Sequence, residues 1–267
     1  MLRRFAIAVL LLAAAFGAQG KEYTDVYYDP DENGWGFFLV QSDTAQFLAF
    51  FIYGSDGKPT WYVAGLADDG TGTDTYTGQI FATTGTYFPL PWNPALSTVT
   101  LAGTATFKAT DNYHATFTYS VNGAGTVVKN VVRQTLTSYP MAGNYSGSMA
   151  GSVSGCTDPN NNNPQWRGRY VLTVSQSGDA SATATFNFVD NVNNGLVCTV
   201  SGPLTHLGRL YQLNGQMTCT GPNGFPGTPS VTIDALHPTG QGIEGKLSGN
   251  TGGGCAAVLH FSAVFLN

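Results

Sequence analysis

Turn-forming residues interrupt this chain roughly every eight to twelve residues, and that spacing constrains its fold more than any other feature. Clusters of Gly, Thr, Ser and Asn supply the interruptions, and the runs between them are β-branched or aromatic. Almost nothing has helical character. In the first half, strands are predicted near 23–28, 35–41, 46–54, 58–66, 74–82, 98–108, 113–121 and 126–136. In the second half they are predicted near 143–154, 168–176, 181–189, 195–203, 209–219, 230–236, 242–248 and 256–265. Short turns join neighbours antiparallel. The expected fold is all-β, with two antiparallel meander β-barrel or β-sandwich domains of about eight strands each.

Alternation sets the faces of these strands. Ala182, Ala184, Phe186 and Phe188 point one way, while Ser181, Thr183, Thr185 and Asn187 point the other. Tyr211, Leu213, Met217 and Cys219 likewise oppose Gln212, Asn214, Gln216 and Thr218. Such strands bury one face and wet the other. Residues 46–53 break the pattern, because Phe47, Leu48, Phe50, Phe51, Ile52 and Tyr53 make both faces apolar. That strand is expected to be covered on both sides, with the other domain as a candidate cover.

The N-terminus has the pattern of an export signal. Arg3 and Arg4 precede an apolar run from Phe5 to Phe16, and Ala18-Gln19-Gly20 supplies small residues for cleavage before Lys21. The run is shorter than the ~20 residues that span a bilayer. The expected organisation is a signal peptide at 1–20, an aromatic-rich β domain at 21–139 and a disulfide-stapled β domain at 140–267. The chain has 11 Lys+Arg against 16 Asp+Glu, and loss of Arg3 and Arg4 takes the mature net charge to about −7. An acidic surface without a basic run excludes nucleic acid as the expected partner, since Lys and Arg contacts to phosphate dominate such binding.

Cysteines and aromatics divide the halves. Cys156, Cys198, Cys219 and Cys255 all lie in the second half, whereas residues 21–140 hold 22 Phe, Trp and Tyr against 9 in 141–267. In an oxidising compartment, an even set confined to one region predicts two disulfides. A long hairpin over 195–219 places Cys198 across from Cys219, and closure of a meander brings Cys156 beside Cys255. That pairing is expected, although four cysteines allow three connectivities.

Two motifs stand in the first half: Asp29-Pro30-Asp31-Glu32-Asn33-Gly34-Trp35-Gly36 and Tyr53-Gly54-Ser55-Asp56-Gly57-Lys58-Pro59-Thr60-Trp61. With them the chain resembles a group of secreted bacterial β-rich proteins that carry an Asn-Pro-x-Glu-Ser-Gly-Trp-Gly motif and a Tyr-x-x-Asp-Gly-x-Pro-x-Trp motif. The resemblance implies export and a β-rich fold, and points to no particular activity. Asp29, Asp31, Asn33 and Gly34 also match the opening of a calcium-binding EF-hand loop, but the twelfth position is Val40 where a bidentate Glu is needed. A polar turn is the better reading. Asp56-Gly57 reads as a hairpin turn with positive φ at the glycine.

Glu32, Trp35, Tyr53, Trp61 and Tyr62 are the candidate ligand-binding residues, because aromatic faces beside a turn stack on flat or apolar ligands. The same aromatics would equally fill a core. No catalytic residue, metal ligand or cofactor is predicted: there is no Gly-x-Ser-x-Gly elbow, no His-Glu-x-x-His and no phosphate-cradling glycine loop. His114, His206, His237 and His260 stand isolated in the sequence, and a Glu32–Glu244 acid/base pair has no support from it. The Asn-rich segment 158–164 reads as a solvated or presented loop. The leading expectation is a secreted or periplasmic non-enzymatic binding protein, engaging a small molecule, polysaccharide or protein surface through its first domain. The rivals are a structural or adhesive surface protein without a pocket and an extracellular polymer hydrolase. An outer-membrane barrel is disfavoured by strands that lack a uniform lipid-facing stripe.

Overall fold

The structure is a computed structural model that describes residues 21–121, 123–222 and 224–266, so the predicted signal peptide lies outside the described residues. Eight strands occupy the first half: β1 (Asp25–Tyr28), β2 (Gly36–Ser42), β3 (Ala45–Tyr53), β4 (Pro59–Asp68), β5 (Thr75–Thr84), β6 (Thr98–Ala109), β7 (His114–Val121) and β8 (Thr126–Arg133). Eight more follow: β9 (Gly143–Ser154), β10 (Asn163–Ser177), β11 (Ser181–Phe188), β12 (Val197–Leu207), β13 (Leu210–Thr220), β14 (Ser230–Pro238), β15 (Gly242–Asn250) and β16 (Ala256–Phe265). Each set is a meander in which neighbours in sequence are neighbours in the sheet. The first closes β1 against β8 and the second closes β16 against β9. Both are barrels rather than sandwiches, and closure leaves neither with a free sheet edge.

β10 begins five residues earlier than the alternation indicated, because Asn163 pairs with Val153 ahead of a register shift at Trp166. Only Pro159–Asn161 of the Asn-rich segment forms a separate turn, capped by the Asp158 side chain.

By Cα proximity the chain falls into two compact units, one joining 34–130 to the residues before Asp25 and the other joining 25–33 to the residues from Val131 on. Phe37, Phe50, Phe107 and Phe117 point inward and fill the first barrel, with ring centroids 4.6 Å apart for Phe37–Phe117 and 5.8 Å for Phe50–Phe117. In the second barrel Tyr170, Phe186 and Phe261 meet at 5.1 and 5.6 Å above buried Val200, Leu213 and Ile233. The inward set on β11 and β13 is the one the alternation gave. Both interiors are packed side chains.

Closing eight strands requires sharp bends, and glycine provides one where β6 bulges between Leu101 and Gly103. A Cβ on Gly103 would overlap the Ser120 carbonyl oxygen of β7, so only glycine allows that approach. The sulfurs are bonded Cys198–Cys219 and Cys156–Cys255. Cys198 and Cys219 are direct register partners on β12 and β13, and the other bridge lies just beyond the last β9–β16 pair, Ser154 with Ala256.

Candidate functional site

The outer surfaces of the two barrels differ in chemistry. Outward positions of the second barrel carry hydroxyls and amides that bond across strands, as in Thr183 with Ser201 at 2.8 Å and Thr232 to Asn214 at 2.9 Å. On the first barrel, β2 to β6 turn apolar side chains outward. One row runs straight across five strands in register: Phe38, Ala49, Val63, Phe81 and Leu101. Beside it, Phe51 pairs with Trp61, and Val40 pairs with Phe47 on the other flank. Phe38 and Phe51 meet edge to face at 5.7 Å. Phe47 and Phe51 are exposed, so the cover expected over this doubly apolar strand is absent from the described residues.

Period-two geometry therefore separates the candidate residues rather than gathering them into a pocket. Trp61 and Tyr53 stand on the outer face, 50% and 53% exposed. Tyr62, one residue on, points inward and stacks on Phe50 at 5.5 Å between centroids. Trp35 is half-buried, with the Lys129 ammonium 5.9 Å from its ring centroid, a cation–π contact. Glu32 is exposed in the 29–33 turn, where its N–H donates to the Asp29 carbonyl at 3.1 Å.

The two motifs have local structural explanations. The Asp29 carboxylate accepts the Asp31 N–H at 3.0 Å, an Asx turn that uses this oxygen within the backbone. Gly34 has φ +98°, and a Cβ there would lie 2.7 Å from the Tyr53 hydroxyl, so the glycine serves both the turn and a close approach by the second motif. Gly57 has φ +75° in the β3–β4 turn, with its N–H on the Gly54 carbonyl at 2.9 Å.

The histidines are less isolated than the sequence implied. His114 pairs with Asp111 at 2.9 Å, His206 with Asp179 at 2.9 Å and His237 with Glu244 at 3.3 Å. Sequence spacing hid the His206–Asp179 contact because the partners are brought together only by strand pairing. His206 Nδ1 meets Asp179 Oδ2, its ring stacks on Tyr211 at 3.9 Å, and its Nε2 is buried without a hydrogen-bond partner. A Ser–His–Asp triad needs the hydroxyl on the free ring nitrogen. Here the Ser138 hydroxyl donates to the Asp179 carboxylate instead, and the Tyr211 hydroxyl accepts the Tyr139 N–H at 2.9 Å. The cluster holds the segment after β8 in place.

The Ser138 hydroxyl first, and His206 second, hold the Asp179 carboxyl below its usual range. A carboxyl lowered on folding stabilises above its unfolded value and loses that contribution as pH falls through the lower folded value. Asp179→Asn should therefore be less stable than the parent at neutral pH, with the gap closing once pH drops below about 3.9. Chemical denaturation of both proteins across that range checks it, and a gap independent of pH would contradict it.

No protein-family model matches this chain, and no curated protein is similar to it at a significant level.

Proposed function

We propose that this is a non-enzymatic binding protein of an oxidising compartment, secreted or periplasmic, that engages an extended surface through the outer aromatic face of its first barrel. One observation carries the reading: five adjacent strands present a contiguous apolar face in register, with Phe38, Phe47, Phe51 and Trp61 about half exposed. Contiguous apolar patches of this kind mark interaction sites, whereas scattered exposed apolar residues do not. The face is convex because it is the outside of a barrel, and the interior behind it is filled. An extended surface fits that shape better than an enclosed small molecule. Two disulfides fit an oxidising compartment. The shared motifs suit the same exported group that the sequence resembles, with the Gly34–Tyr53 approach as their structural content.

A polar outer face and an apolar core are what a water-exposed barrel needs, and a membrane-spanning barrel reverses them. In the first barrel only a sector departs from that rule. Outward positions of β7 carry His114, Thr116, Thr118 and Ser120, so the apolar face does not encircle it.

Substitution on the two sides of β3 and β4 tests the proposal. Phe51→Ser and Trp61→Ser should keep the melting profile within about 1 kcal/mol of the parent. Both should reduce binding of the apolar-surface dye anilinonaphthalene sulfonate. Phe50→Ala, on the inner face, should cost ~3–5 kcal/mol. Unfolding of both outer variants would show the face to be structural and defeat the reading.

A further inference from the structure

No charged residue lies between Asp74 and Lys108, a stretch that covers β5, the 85–97 loop and most of β6. The loop is the most exposed apolar element described: Phe88 is 95% exposed, Trp92 66%, and Tyr87 and Leu90 also lie mostly in solvent. It is nonetheless ordered by its own bonds. The Thr86 hydroxyl donates to the Asn93 carbonyl at 3.1 Å and accepts the Asn93 N–H at 2.8 Å. The Leu90 N–H reaches Tyr87, and those of Ala95 and Leu96 reach Asn93. Pro89, Pro91 and Pro94 have no N–H to satisfy. The loop thus presents large apolar side chains on a backbone ordered by its own bonds and by three prolines that carry no N–H.

In an up-and-down barrel, alternate hairpins project from one end. The 54–58 turn and the 85–97 loop therefore share an end, and Phe51, Tyr53 and Trp61 lie in the strand segments nearest it. The tip and the aromatic face form one continuous convex surface.

We propose that this surface docks on a neutral, zwitterionic lipid bilayer, with Phe88 and Leu90 entering the acyl boundary and Tyr87 and Trp92 at head-group depth. The inference rests on the surface-binding reading above and names its partner. Three observations select lipid. A convex, apolar tip offers neither the concave pocket nor the converging polar groups that select a small ligand or sugar. Trp and Tyr flanking more apolar side chains is the arrangement favoured at a membrane interface. The charge is that of a zwitterionic target: anionic lipid recruits Lys and Arg clusters, whereas the 54–58 turn supplies a single cation, Lys58, paired with Asp56 at 3.5 Å.

Flotation of the purified exported protein with phosphatidylcholine vesicles tests this. The protein should float with the vesicles in low and high salt alike, and Phe88→Asp and Leu90→Asp should each weaken partitioning by about tenfold or more with unchanged melting curves. Flotation only with phosphatidylglycerol vesicles and lost in salt, or flotation indifferent to Phe88→Asp, would overturn it. Absence of flotation, together with a dimer in sedimentation that Phe88→Asp disperses, would assign the surface to a second copy of the chain. That result would overturn the lipid proposal but leave the surface-binding reading standing. Absence of flotation, with dye binding indifferent to Trp61→Ser, would remove both.

Discussion

Replacing Cys156 and Cys255 with serine should destabilise the second barrel by about 4–5 kcal/mol, the chain-entropy value for a closed loop of this length. The two cysteines are 99 residues apart and join the chain just after β9 to the chain just before β16. Their bridge therefore fastens the seam at which the barrel closes, and in the reduced unfolded chain nearly the whole domain lies between them. The Cys198–Cys219 bridge spans only 21 residues within one hairpin, so its removal should cost less, about 3 kcal/mol. The first barrel holds no cysteine and provides an internal control. Scanning calorimetry under oxidising and reducing conditions checks both statements. A transition of the second barrel that does not move on reduction would contradict them.

Asp25→Ala should cost about 3–5 kcal/mol, because it removes the counter-charge of a buried guanidinium. Both side chains of the pair are almost wholly inaccessible, Arg133 at 0% and Asp25 at 5%, and Nη1 donates to Oδ2 at 2.9 Å. The same carboxylate oxygen accepts the Arg209 N–H at 3.1 Å in the β12–β13 turn, and the carboxylate also takes the Val26 N–H. Gly208 in that turn has φ +66°, and a Cβ on it would overlap the carboxylate. Loss of the carboxylate thus removes an acceptor from the Arg209 and Val26 N–H groups as well as an ion-pair partner from the buried Arg133. A buried pair replaced as a unit behaves differently, since apolar groups of similar volume avoid the desolvation cost. Asp25→Leu combined with Arg133→Met should accordingly recover most of the loss. Urea denaturation of the single and double variants decides. A single variant within 1 kcal/mol of the parent would mean that the site admits water.

Much of the fold was legible in the sequence because its signals are local. Period two identified the inward side chains of β11 and β13. Gly and Asn clusters marked the hairpins, and the Asp56-Gly57 turn has the positive φ that its composition required. Cysteine partners followed from the meander, since antiparallel neighbours place residues equidistant from a turn opposite one another. The outer aromatic face was half legible: residues 46–53 announced two apolar faces, but the expectation that both would be covered came from treating apolar as buried. The 85–97 loop gave a signal in its missing charges and large side chains, but turn chemistry alone marks such a segment only as a connection.

Sequence by itself determined the strand set, their antiparallel order and the inward residues, because each depends on contacts between neighbours along the chain. Tertiary structure alone decided that both sheets close into barrels, that the outer apolar face of β3 stays exposed, and that Asp25 meets Arg133 and Arg209, while Asp179 meets His206. Those outcomes depend on the curvature of whole sheets and on pairings between residues as far apart as Asp25 and Arg209, which no local periodicity encodes.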